Sequence, residues 1–186
     1  LALMGPKSRA LLQAVSPADF SNEAFPFGTS REIDLGYARV RASRVTFVGE
    51  LGWEIYVPAE FATHVFDQLA AAGEPFDLGH GGYFAINSLR MEKGYRHWSH
   101  DIGEEDTPLE GGVGFAVAFD KPGGFIGGDA LLRQKAQGKL RRRLVQFKLK
   151  DPAAPFIYHN EPVWAGDRIV GSVTSGAYGF RVGASL

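Results

Sequence analysis

The chain has 186 residues, 45% apolar and 22% charged, enough for one full core or two small ones. A net charge of −1 supplies no basic field of the kind that holds nucleic acid, although a local pocket for one small anion remains compatible with it. With no cysteine, disulfide frameworks, thiolate metal sites and a cysteine nucleophile are excluded, and no stretch approaches the roughly 20 apolar residues of a membrane span.

Residues 1–4 read as a strand that Gly5 and Pro6 interrupt, followed by an amphipathic helix over residues 7–15 with Leu11, Leu12 and Val15 on its apolar side. Residues 31–35 and 38–42 read as short strands. β-Branched and aromatic residues on either side of a glycine-bearing turn predict a hairpin of residues 44–47 with residues 53–57. A helix follows over residues 58–72, with Phe61, Val65, Phe66 and Leu69 on one face and Gly73 closing it. The glycine-rich tract 79–82 leads into a helix over residues 83–93, and a long polar loop runs from 94 to 112. Residues 113–119 read as a strand, residues 127–137 as a helix ended by Gly138, and residues 140–149 as a strand with a basic start. Residues 162–173 form a hairpin turning at Gly166-Asp167, a favoured turn pair. The mixture is α+β with mostly antiparallel sheets and no internal repeat. The chain opens directly on a strand and runs out soon after one, so both ends are expected to continue into further sequence.

Four segments could carry chemistry. In Phe47-Val48-Gly49-Glu50-Leu51-Gly52-Trp53-Glu54-Ile55, glycines permit a tight turn and two carboxylates stand four apart among apolar residues. A carboxylate held beside aromatic rings suits a flat ligand with an edge of N–H donors, because its two oxygens can accept two parallel hydrogen bonds. Spacing alone equally fits a hairpin with two solvated glutamates. In residues 87–98, Arg90 does not face Glu92 at a helical spacing and Lys93 carries the same charge as Arg90, so simple ion pairing does not account for the charges, although a structural role does. His97, His100 and Asp101 invite a metal reading, but an HxxH in a loop is not the helical zinc pattern, and no metal is assigned. His80 lies in a glycine-rich turn without the lysine and hydroxyl partner of a phosphate loop. The run Asp106 to Phe115 reads as a turn and a stiff entry to a sheet.

Taken in order, the motifs are specific. The segments LALMGPK (1–7), RVTFVGELGWEI (44–55), SLRMEKGYRHW (88–98), DIGEEDTPLEGG (101–112), FIGGDAL (125–131), LRRRLV (140–145) and GSVTSG (171–176) span nearly the whole chain. In this order it resembles the glycine cleavage T-protein (aminomethyltransferase) family, most closely the folate-binding region of dimethylglycine and sarcosine dehydrogenases. The resemblance implies a folate-binding module over residues 1–138 and the start of a C-terminal β-barrel over residues 139–186. It implies tetrahydrofolate as the bound cofactor, gripped at its pterin by Glu54. Phe47 stands where the family usually has a tyrosine, and Ile55, Tyr56 and Phe115 fall at positions lining the ligand. Ile86 replaces an arginine of the T-protein. The family's catalytic aspartate would lie upstream of Leu1, as would any FAD-binding flavin domain, and no catalytic residue is assigned within the chain. The implied reaction accepts a methylene group from an oxidised methylated amine to give 5,10-methylenetetrahydrofolate, in the bacterial cytoplasm or the mitochondrial matrix. A free-standing aminomethyltransferase and a non-catalytic regulatory homologue are the alternatives.

Overall fold

The computed structural model describes residues 1–186, and they divide into two compact units, Leu1–Lys93 and Gly94–Leu186. The first unit is built on a four-stranded antiparallel sheet of β1 (Ala2–Met4), β2 (Ser30–Leu35), β3 (Ala38–Ser43) and β4 (Gly52–Tyr56), in the order β1-β4-β3-β2. Strands β2 and β3 are joined by the two-residue turn Gly36-Tyr37. Gly36 takes φ +57, the conformation that a tight hairpin needs at its first central position. A side chain there would also meet His64, whose Nε2 lies 2.4 Å from the position a Cβ would take. His64 instead accepts the Tyr37 N–H at 3.0 Å and stacks on the Tyr37 ring.

Side-chain alternation makes this sheet one-sided. Ile33, Leu35, Ala38, Val40 and Ala42 point to one face and are buried, while Glu32, Asp34, Arg39 and Arg41 point to the other. On the outer face Glu32 lies directly across from Arg41 and pairs with it at 3.1 Å, and Arg39 reaches Glu32 at 3.5 Å. All of these side chains are more than half exposed, so the pairs set strand register more than stability. The inner face receives α1 (Ser8–Val15) through Leu11 and Leu12 and α2 (Ala62–Gly73) through Val65 and Leu69. Phe61 and Phe66, expected on the buried side of the second helix, are instead 38% and 44% exposed. Phe61 falls in a short 3₁₀ turn, Ala59–Phe61, whose tighter winding takes it off the α-helical stripe.

An aromatic trio closes this core: Phe20, Phe25 and Trp53, all fully buried. Phe20 and Phe25 meet Trp53 edge to face at 5.5 and 6.1 Å. The guanidiniums of Arg9 and Arg44 each lie 5.7 Å from the Trp53 ring, and both donate to Asn22 Oδ1, at 2.7 and 2.8 Å. This arrangement overturns the expected hairpin of residues 44–47 with 53–57. The partner of β4 is β3, with Ala42 across from Ile55 and Ser43 across from Glu54, and β1 on the other side. At Arg44 the chain leaves β4: its N–H goes to the Thr29 carbonyl, its carbonyl accepts from Gly28, and its side chain donates to the Phe25 carbonyl. Gly52 lets β4 approach β1, since an added Cβ would sit 2.7 Å from the Leu3 carbonyl oxygen. The unit ends in α3 (Tyr83–Glu92), whose Ser88, Arg90 and Met91 are buried.

The second unit has α4 (Gly128–Gln137), ended by Gly138 at φ +67 as expected, and two small antiparallel pairs. These are β5 (Pro162–Ala165) with β6 (Arg168–Ser172), and β7 (Tyr178–Gly179) with β8 (Ala184–Ser185). Two expected strands do not form here. Residues 113–119 contain a 3₁₀ turn, Gly114–Ala116, because the Val113 N–H is taken by the Pro108 carbonyl and the chain keeps turning. Residues 140–149 run without strand pairing, tied by Leu144 N–H to the Glu110 carbonyl and by Leu149 N–H to the Ser185 carbonyl.

Trp53→Ala should destabilise the first unit by about 3–5 kcal/mol, the range for removing a fully buried large aromatic. Urea unfolding followed by circular dichroism measures this, and a loss below about 1 kcal/mol would contradict the role given to the trio.

Candidate functional site

Strand β4 places the residues singled out by sequence on opposite sides of the sheet. Trp53 and Ile55 point inward, Ile55 being 1% exposed, whereas Glu54 and Tyr56 share the outer face. The Ile55 side chain therefore does not share a surface with the Glu54 carboxylate; it packs in the core beneath it. Glu54 is half-buried and sits on an inner strand of the sheet, across from Ala2 on β1 and Ser43 on β3. Directly opposed residues project to the same face, so Glu54 is flanked there by two small side chains. The Ser43 hydroxyl donates to Ser30 Oγ at 3.0 Å rather than to the carboxylate.

Tyr56, 58% exposed, donates its phenol to Glu54 Oε2 at 2.7 Å. That hydrogen bond, with the charge of the carboxylate behind it, raises the phenol above its ordinary pKa. Phe47 is half-buried in the connection between β3 and β4. Ile86 is a half-buried apolar position on α3.

Phe115 belongs to the second unit, where it stands 86% exposed on the 3₁₀ turn. Two polar anchors in this unit were not legible in the sequence. Asp101 accepts from the His97 N–H at 2.8 Å through one oxygen, and through the other from the Thr174 and Ser175 hydroxyls, both at 2.7 Å. It thereby ties the HWSHD segment to the GSVTSG segment more than 70 residues away. Arg96 donates to the carbonyls of Gly94, Gly111 and Gly112. The intervening turn is closed reciprocally by Thr107 and Glu110, each backbone N–H donating to the other's side chain at 3.2 Å. Trp98, Ile102, Pro108 and Val113 line a hollow of about 80 Å³ beside this turn. The imidazole of His100 lies 5.6 Å from that of His97 and 5.8 Å from that of His159.

Comparison with known proteins agrees with this architecture. Residues 1–121 match the GCVT N-terminal domain, and residues 142–186 match the glycine cleavage T-protein C-terminal barrel domain. The chain belongs to the glycine cleavage T-protein family. It is 43% identical over its whole length to mitochondrial sarcosine dehydrogenase of Homo sapiens, covering 20% of that protein. It is also 43% identical over its whole length to the formaldehyde-forming 4-methylaminobutanoate oxidase of Paenarthrobacter nicotinovorans, covering 22% of it. The chain thus spans about a fifth of the length of these curated relatives. Among solved structures, aminomethyltransferase T of the glycine cleavage system from Bartonella henselae superposes with a TM-score of 0.77 at 26% identity, over 99% of this chain and 48% of that one.

Asp101→Ala should destabilise the second unit by about 1.5–3 kcal/mol, as expected when donors lose a charged acceptor. Hydrogen exchange should then speed up at the His97 amide, and unchanged protection there would show that the carboxylate does not hold the segment.

Proposed function

We propose that the first unit binds a reduced folate through Glu54. We further propose that the protein passes a one-carbon unit from an oxidised methylated amine to that folate, giving 5,10-methylenetetrahydrofolate. The observation that carries this reading is the placement of Glu54: a half-buried carboxylate on an inner strand of the sheet, flanked by Ala2 and Ser43, with Oε1 accepting no hydrogen bond from the chain. Such a carboxylate fits the pterin edge, where an amino group and a ring N–H present two parallel donors. Reduced folate supplies the nitrogen nucleophiles that capture a carbon at the oxidation level of formaldehyde. The chain's own contribution is to bind and orient it.

In this reading residues 1–138 form the folate-binding region and residues 139–186 begin the barrel. Phe47, half-buried in the connection between β3 and β4, is assigned the family's aromatic position without its hydroxyl, and Ile55 supports the strand from within the core. In the second unit, Phe115 presents an exposed ring of the kind that stacks on a flat ligand face. The half-buried Ile86 makes its part of α3 apolar where the T-protein has an arginine. The acid–base group for the transfer would be an aspartate upstream of residue 1, and the amine would be oxidised by a flavin domain also upstream, so FAD is assigned no residue in this chain. Two relatives whose names describe oxidation of N-methylated amines match the chain at 43% identity, against 39% for an aminomethyltransferase, which favours this reading over a free-standing aminomethyltransferase. No helix is long and apolar enough to cross a membrane, and the reaction fits a mitochondrial matrix or a bacterial cytoplasm.

Glu54→Gln should weaken binding of 5-formyltetrahydrofolate, a stable reduced folate, by about 1–3 kcal/mol. Isothermal titration measures this, and an unchanged affinity would reject Glu54 as the pterin grip.

A further inference from the structure

A glutamate that must accept two parallel hydrogen bonds has a geometric problem. Its side chain has three rotatable bonds, and the last of them, which sets the plane of the carboxylate, is broad and weakly held. A bidentate contact needs that plane to match the plane of the ligand edge. The neighbours of Glu54 across the sheet cannot hold it: Ala2 has no polar side-chain atom, and the Ser43 hydroxyl is directed to Ser30. Arg41, directly across from Tyr56, pairs with Glu32 at 3.1 Å. The hydrogen bond to the carboxylate comes from Tyr56, two residues along on the same face of β4, at 2.7 Å to Oε2.

We propose that Tyr56 is a positioning residue for the candidate site, its phenol fixing the plane of the Glu54 carboxylate so that the remaining lone pairs meet a ligand edge with two parallel N–H donors. The proposal rests on the pterin-grip reading above and assigns Tyr56 a role through Glu54 rather than as a wall of the pocket. A carboxylate has about four acceptor positions on its two oxygens, so one hydrogen bond from Tyr56 leaves room for two more. A phenol of ordinary pKa is protonated and able to donate at neutral pH, and the same hydrogen bond raises this one further. The 58% exposure of Tyr56 shows that core packing does not require its ring.

A double-mutant cycle on the intact protein, titrated with 5-formyltetrahydrofolate, tests this. Tyr56→Phe keeps the ring and removes the hydroxyl, and should weaken binding by about three- to tenfold, the effect of one hydrogen bond. In a Glu54→Ala background the same change should have less than about a twofold effect, since no carboxylate remains to be oriented. An equal loss in both backgrounds would mean that Tyr56 acts on the ligand directly, and no loss in either would mean that it positions nothing; each overturns the proposal. The phenolate absorbance difference between the protein and its Tyr56→Phe variant isolates this tyrosine's titration without any ligand. Removing the carboxylate with Glu54→Ala should move that titration to lower pH, and an unmoved titration would show that the pair does not form. A moved titration with folate affinity indifferent to Glu54→Ala would instead overturn the pterin reading, and with it the ligand named here.

Discussion

Along an extended strand, successive side chains project to opposite sides, and in β4 this one rule joins the core to the candidate binding surface. Trp53 and Ile55 enter the core on one side, while Glu54 and Tyr56 emerge on the other. A shift of one residue in the pairing of β4 with β1 and β3 would turn the carboxylate into the aromatic trio and the indole into solvent. The burial of Trp53 between two guanidiniums and two phenylalanines therefore fixes where Glu54 stands, although none of those groups touches it. The core and the candidate binding surface meet in the five residues of β4.

The outer face shows the complementary economy. Across most of the sheet it carries long charged side chains that pair with each other, Glu32 with Arg39 and Arg41. Around Glu54 the neighbours shrink to alanine and serine, and only the tyrosine on its own strand reaches it. A surface otherwise covered by its own ion pairs thus carries, at Glu54, a half-buried carboxylate paired with no cation. That contrast distinguishes Glu54 from the other acidic residues of the sheet, and sequence spacing does not reveal it because Ala2 and Ser43 come from two different strands.

What the sequence disclosed, and what it withheld, follows from how local the determining contacts are. The turn at Gly166-Asp167, the stop at Gly138 and the apolar side of α1 are set within a few residues, and they are legible; α2 is legible in part, since Val65 and Leu69 are buried but Phe61 and Phe66 are not. The trajectory at Arg44 is not, because it depends on carbonyls 15 to 19 residues upstream. Residues 113–119 and 140–149 have the composition of strands, but composition reports only that a segment suits a pleated surface; a ladder also needs a partner, and pairing is non-local. The candidate site divides in the same way. Glu54 stands out through its motif, and the order of seven motifs identifies the family. Asp101 is invisible as an anchor, since its hydroxyl donors lie 73 and 74 residues away.

The three tryptophans are distributed so that each unit carries its own optical signature. Trp53, with no exposure, is the sole indole of the first unit, whereas Trp98 and Trp164 of the second are 62% and 58% exposed. An indole shielded from water emits toward the blue and resists quenching by dissolved iodide, and exposed ones emit toward the red and are readily quenched. Emission at the blue edge thus reports the integrity of the core beneath Glu54, and emission at the red edge reports the other half of the chain, in the unlabelled protein.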